Sequence, residues 1–147
     1  MAVKPHRMSI VTFGVTDLAV STRFYEAVFG VKPNQDAPGI SFFELPGVWL
    51  AVFPLNELAK DIGLPESTPR SGFSGVTLAH NAASREDVLA IFEHVKSVGA
   101  KIIKPPHDTF WGGFSGYFAD PDGYYWEVAW GPMFEFTSDG TLAVKKS

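Results

Sequence analysis

The chain has 147 residues, 46% of them hydrophobic, with 13 Phe, 4 Tyr and 4 Trp, which is enough for an ordered core and too much for a disordered chain. Acidic residues outnumber basic ones 16 to 12, and Lys and Arg cluster only as Lys145-Lys146, so no nucleic-acid partner is expected. The lack of cysteine excludes disulfides, thiolate nucleophiles and Cys-ligated metals, and no apolar run approaches the ~20 residues that span a bilayer. Met1 to His6 carries no apolar stretch of the signal-peptide kind, so a cytoplasmic globular protein is expected.

The first strand is predicted over Ser9 to Val15, where Val11, Phe13 and Val15 alternate with Ile10, Thr12 and Gly14. Thr16-Asp17 then supplies a cap for a helix over Leu18 to Phe29, with Val20, Phe24 and Val28 on one stripe. Gly30 fits its left-handed end, and Pro33 prevents resumption. Two strands follow, Ile40 to Leu45 and Val48 to Phe53, joined by Pro46-Gly47. After a short helical stretch, Leu55 to Ile62, comes a segment rich in Gly, Pro and Ser.

The second half repeats this order. Gly75 to His80 reads as a strand, Ser84-Arg85-Glu86-Asp87 as a capping box, and Val88, Ile91, Phe92 and Val95 as a helical stripe closed by Gly99. Lys101 to Lys104 is a short strand that Pro105-Pro106 is expected to stop, placing His107 in a loop. Phe114 to Ala119 and Tyr124 to Trp130 flank the hairpin turn Asp120-Pro121-Asp122-Gly123. The expected organisation is a first module over 7–53, a linker over 54–74, a second module over 75–132 and a polar tail over 133–147.

Val15-Thr16-Asp17-Leu18, Ser21, Phe24-Tyr25-Glu26 and Gly30, with Phe118-Ala119-Asp120-Pro121-Asp122-Gly123 and Glu127, resemble the opening and closing motifs of the vicinal oxygen chelate superfamily. That family includes glyoxalase I, bleomycin resistance proteins, fosfomycin resistance enzymes and extradiol dioxygenases. The resemblance covers Met8 to Pro132 and implies an α+β fold of two tandem βαβββ modules, their curled mixed sheet enclosing a cup. In that family the cup commonly holds a divalent metal. The matching ligand positions here are Ile10, a site near Ala51, a site near Gly75, and Glu127. Only Glu127 has a lone pair to give, so neither metal nor other cofactor is expected. A metal site rebuilt from His80, His107 and Glu127 stays open as an alternative.

Strand parity turns Glu127, Tyr125 and Ala129 towards the cup and Trp126, Val128 and Trp130 towards the helix. By the same parity Thr12, Gly14, Trp49, Phe53, Thr77 and Ala79 line the cup. Glu127 is the candidate catalytic acid or base, since it interrupts an apolar strand; the alternative is a structural acid held by Arg7 or Arg70. Thr12, Trp49, Thr77, His107, Trp111 and Tyr125 are the candidate ligand contacts. Trp111, in the stretch Asp108 to Phe114, reads either as a lid that stacks on ligand or as an aromatic plug. Backbone amides near Gly112-Gly113, or a ring N–H, are candidate donors to a developing oxyanion. Three functions fit: a metal-independent enzyme acting on a small carbonyl-bearing or aromatic molecule through Glu127; a binding protein that sequesters a drug-like or hydrophobic ligand; or a metal-dependent lyase or dioxygenase with relocated ligands. The resemblance also implies a homodimer.

Overall fold

A computed structural model describes residues 2–144; Met1 and residues 145–147, with the Lys145-Lys146 pair, lie outside the described residues. The chain divides between Pro69 and Arg70 into two compact units. Both follow the α+β plan expected from the strand and helix order. No helix among the described residues is long and apolar enough to cross a membrane.

The first unit runs β1 (Ile10–Val15), α1 (Leu18–Phe29), β2 (Ser41–Phe43), β3 (Trp49–Pro54) and α2 (Leu55–Ile62). Its sheet has the order β1-β3-β2, with β1 parallel and β2 antiparallel to β3. Asp17 caps α1 by accepting from the Val20 amide at 3.1 Å, and Gly30 ends it at φ 66°. The buried face of α1 is Ser21, Thr22, Phe24 and Tyr25, so the expected stripe is rotated and Val20 is largely exposed. The cause is Tyr25, whose ring occupies the centre of a cluster with Phe13, Phe24, Phe29 and Phe43 at centroid distances of 5.1–6.2 Å. The fourth strand of this module is reduced to a single bridge, Asn34 to Phe42.

The second unit runs β4 (Thr77–Asn81), α3 (Arg85–Ser97), β5 (Lys101–Asp108), β6 (Phe114–Ala119) and β7 (Tyr125–Trp130). The order is β4-β7-β6-β5, with β4 parallel to β7 and the other pairs antiparallel. In each unit, therefore, the first strand lies parallel beside the last, which makes the repeat one of topology rather than of residues. Ser84 caps α3, and the helix buries Val88, Phe92 and Val95 against the sheet. Trp126 stacks on Phe118 at 6.2 Å and 4°, and Phe118 meets Phe92 edge-on, so this is the helix-side face of the sheet. Trp130 is only half-buried, its ring lying beneath Arg85. The turn between β6 and β7 is rigid because the Asp120 carboxylate accepts from the Asp122 and Tyr124 amides at 2.9 and 2.8 Å.

β5 departs from expectation. It does not stop at Pro105-Pro106 but runs through to Asp108, so His107 stands in a strand. Two features permit this: β5 is an edge strand, where a missing N–H breaks no ladder beyond it, and the pairing is bulged at the prolines. Beyond β7 the tail is not a loose end, since Phe136 bridges Leu142 around a turn held by Thr137, Asp139 and Thr141.

Candidate functional site

The face of the second sheet opposite α3 carries the side chains of alternate residues. On β7 these are Tyr125, Glu127 and Ala129. Register brings Ala119, Tyr117 and Ser115 of β6 beside them, and Thr77, Ala79 and Asn81 of β4 on the other side. On β5 Lys104 stands opposite Tyr117 and His107 opposite Ser115. In a regular strand, Lys104 would share a face with Ile102, and His107 would point the other way. One extra residue between Ile102 and Lys104 turns Lys104 to the opposite face, and a second between Lys104 and His107 restores His107 to the face it would have in a regular strand. The first bulge thus brings Lys104 onto the face of Glu127, and the second keeps His107 on that face beside it. Gly116 makes room for them, because a Cβ there would meet the Lys104 carbonyl oxygen at 2.6 Å and the Pro106 nitrogen at 2.9 Å.

These residues line an open cavity of about 360 Å³ bordered by Lys104, His107, Asp108, Ser115, Tyr117 and Glu127, with Trp111 and Phe110 on the β5–β6 loop at its edge. The volume suits a small organic molecule. Tyr117 and Glu127 are register partners across β6 and β7, and the pKa of the phenol is raised by burial first, then by the negative charge of Glu127 and by hydrogen bonding to it. Tyr117 therefore stays a proton donor through the neutral range. His107 places Nδ1 3.2 Å from the Pro105 carbonyl, which leaves Nε2 available to the cavity. Neither arginine considered for Glu127 holds it: Arg70 lies over the Tyr124 ring and donates to the Asp122 carbonyl, and Arg7 contacts His6. Among the described residues no ion pair involves Glu127.

Trp111 is a fixed wall of this cavity. Gly113 and Gly131 pass so close to its benzo edge that a Cβ on either would overlap the ring, and Phe134 meets it edge-on at 6.4 Å. The loop beneath is closed by Thr109, whose Oγ1 accepts from the Gly113 amide at 2.9 Å and whose carbonyl accepts from the Gly112 amide at 3.3 Å. Those two amides, expected as oxyanion donors, are thus committed within the loop. Phe110 projects from its tip fully exposed.

The structure brings Glu127, His107 and Trp111 together. Tyr125 shares the face of Glu127 but lies against Phe73 at 5.9 Å, and Thr77, in register with Tyr125, is exposed; neither lines the cavity. In the first unit, Thr12 is exposed on the β1 face shared with Ile10, and Trp49 on β3 meets Phe42 at 6.3 Å. Tyr117, Ser115 and Lys104 were absent from the sequence candidates. Counting back across the Asp120–Gly123 turn from Glu127 reaches Tyr117; no comparable count reaches Lys104 through the bulges.

The donor set does not fit a divalent metal of the kind the family resemblance implies. Ile10, Ala51 and Gly75 offer no side-chain donor, and among the described residues no three His, Asp or Glu side chains converge. His80 does not join Glu127, since it is in register with Val128 and so lies on the opposite, helix-side face. There, although much of the residue is open at the sheet edge, withdrawal of the ring from water lowers its pKa and the charge of Asp87 partly opposes this.

Comparison with known proteins agrees with the architecture. Residues 7–128 match the family model described as the Glyoxalase/Bleomycin resistance protein/Dioxygenase superfamily. The chain is 32% identical over 123 residues to the metallothiol transferase FosB of Bacillus licheniformis, covering 84% of this chain and 74% of that protein. A glyoxalase-related enzyme from Fulvimarina pelagi superposes with a TM-score of 0.84 at 32% identity, over 97% of this chain and 100% of the other. A glyoxalase/bleomycin resistance protein/dioxygenase from Nocardioides gives a TM-score of 0.76 at 26% identity, over 88% and 85%.

Proposed function

The chain belongs to the glyoxalase/bleomycin resistance protein/dioxygenase superfamily, and from that premise we propose that it is a metal-independent enzyme acting on a small carbonyl-bearing or aromatic molecule, with Glu127 as its acid/base. The observation that carries this reading is the pairing of Tyr117 with Glu127 across β6 and β7 beside a cavity large enough for such a molecule. Among the described residues lining the cavity, Glu127 is the group on its β7 side able to take a proton from carbon, and among the described residues it is in no ion pair that would hold its charge. As a proton leaves the carbon next to a carbonyl, negative charge grows on the carbonyl oxygen. The neutral Tyr117 phenol, beside Glu127, is the donor placed to receive it. Trp111 offers an aromatic surface to the substrate's apolar part.

The test is exchange of the protons beside the carbonyl of phenylpyruvate in deuterated water, followed by NMR. Wild type is expected to accelerate exchange and Glu127→Gln to abolish the acceleration while retaining binding. Equal exchange by the two proteins removes Glu127 from the role. Saturable binding with no exchange at all makes the protein a sequestering module instead.

A further inference from the structure

Lys104, Tyr117 and Glu127 form one cross-strand rung over β5, β6 and β7, and His107 and Ser115 form the next rung on the same face. Neighbours in a rung are about 5 Å apart at Cβ. The cavity is therefore polarised. Its β7 side holds a carboxylate, and its β5 side holds an ammonium and an imidazole, with a phenol between them. The other charged groups nearby do not neutralise the basic side. Asp108 at the rim is paired with Arg85 at 2.6 Å, and the Arg85 guanidinium is held over the Phe114 ring at 4.4 Å. Among the described residues Lys104 is in no ion pair, and from an exposed position on the edge strand it borders the cavity.

An edge strand reaches this arrangement only through two bulges, a pair of prolines and a glycine opposite them that lets the bulged backbone approach. Without the bulges Lys104 would face α3, and of the two basic side chains only His107 would remain on the face of Glu127.

We infer that the β5 side of the cavity is an anion subsite, with Lys104 as its principal cation and His107 beside it, and that the ligand is a small carbonyl compound bearing a carboxylate. The carboxylate sits between Lys104 and His107, and Trp111 covers the rest of the molecule. The carbonyl end then reaches Tyr117 and Glu127 on the next strand, away from the like charge of the ligand. The protein's net charge of −4 disfavours anions in general, so the selectivity comes from this one local reversal of sign. This inference rests on the cavity being the ligand site of the proposed enzyme, but it is read in binding alone.

The probes are benzoylformate, which has a ring, a carbonyl and a carboxylate but no proton beside the carbonyl, its uncharged methyl ester, and the benzamidinium cation. Titration by tryptophan fluorescence in low salt is expected to rank benzoylformate roughly tenfold above the ester, the difference made by one hydrogen-bonded charge pair. Benzamidinium should bind more weakly than either. Lys104→Gln should collapse the acid-to-ester ratio towards one, and Lys104→Arg should keep most of it. Ester binding as tight as acid binding, an unchanged ratio in Lys104→Gln, a preference for benzamidinium, or no saturable binding of benzoylformate at millimolar concentration would each overturn the assignment. Failure of the proton-transfer reading shows separately, as Glu127→Gln exchange equal to wild type, and leaves these ratios untouched.

Discussion

Gly116→Ala tests whether the close approach of β5 is what shapes the site. Gly116 has no left-handed backbone requirement, so alanine can adopt its conformation and the effect is one of space. The added methyl would lie 2.6 Å from the Lys104 carbonyl oxygen, 2.7 Å from Phe92 Cζ and 2.9 Å from the Pro106 nitrogen, all well inside ordinary contact. Two of those atoms are backbone and cannot rotate away. Overpacking of this kind costs about 1–3 kcal/mol, and for a chain of this size each kcal/mol moves the melting temperature by about 2–4 °C. A fall of roughly 2–12 °C is therefore expected by calorimetry. Relief can come only by moving the Lys104–Pro106 segment outward, so the benzoylformate-to-ester ratio should fall in the same protein. Gly14→Ala provides the contrast, because the one atom its methyl would meet within 3.0 Å is the Leu55 Cδ1 methyl, which can swing aside. A Gly116→Ala protein with wild-type melting temperature and wild-type ratio would show that the bulge is not held by this contact.

Other perturbations have equally definite outcomes. His80 has a lowered folded-state pKa, so the neutral ring favours folding; the stability it supports is present above its ordinary value of about 6.5 and is lost as pH falls through the lower folded value. Melting temperatures should drop as pH falls below about 6.5, and His80→Gln should flatten that segment of the profile; an unaltered profile contradicts the assignment. In an alkaline near-ultraviolet titration, Tyr117→Phe should remove a component that ionises above the usual tyrosine range. Glu127→Gln should move that component down, since both the charge and the acceptor are gone; no movement would mean the two groups are uncoupled. Asp120→Ala leaves two turn amides without their acceptor and should lower stability by about 2 kcal/mol, read as a shifted urea midpoint at unchanged slope.

Period-two reasoning placed Glu127 on the open face because the Asp120–Gly123 turn leaves little freedom in the hairpin it joins. The same turn fixes Tyr117 as the register partner of Glu127, which counting back across the hairpin reaches. No such count reaches Lys104. A bulge carries no reliable mark in composition, and two prolines argue for the end of a strand unless the strand is known to be an edge, which is a property of the sheet. The Gly112 and Gly113 amides looked available because their acceptor, Thr109, is chosen by loop closure. The role of Trp111 depended on Gly131, beyond a whole hairpin, leaving it free to be lid or plug until the backbone was in place. The helix caps at Asp17 and Ser84 were legible because they are local.

The claim that this chain works through its own acid rather than a cation is tested most directly on wild-type protein stripped with a chelator and verified metal-free by elemental analysis. Its acceleration of phenylpyruvate proton exchange is expected to equal that of untreated protein and to be unaffected by added divalent ions. Loss of exchange on stripping, with recovery on adding one of those ions, would contradict the account.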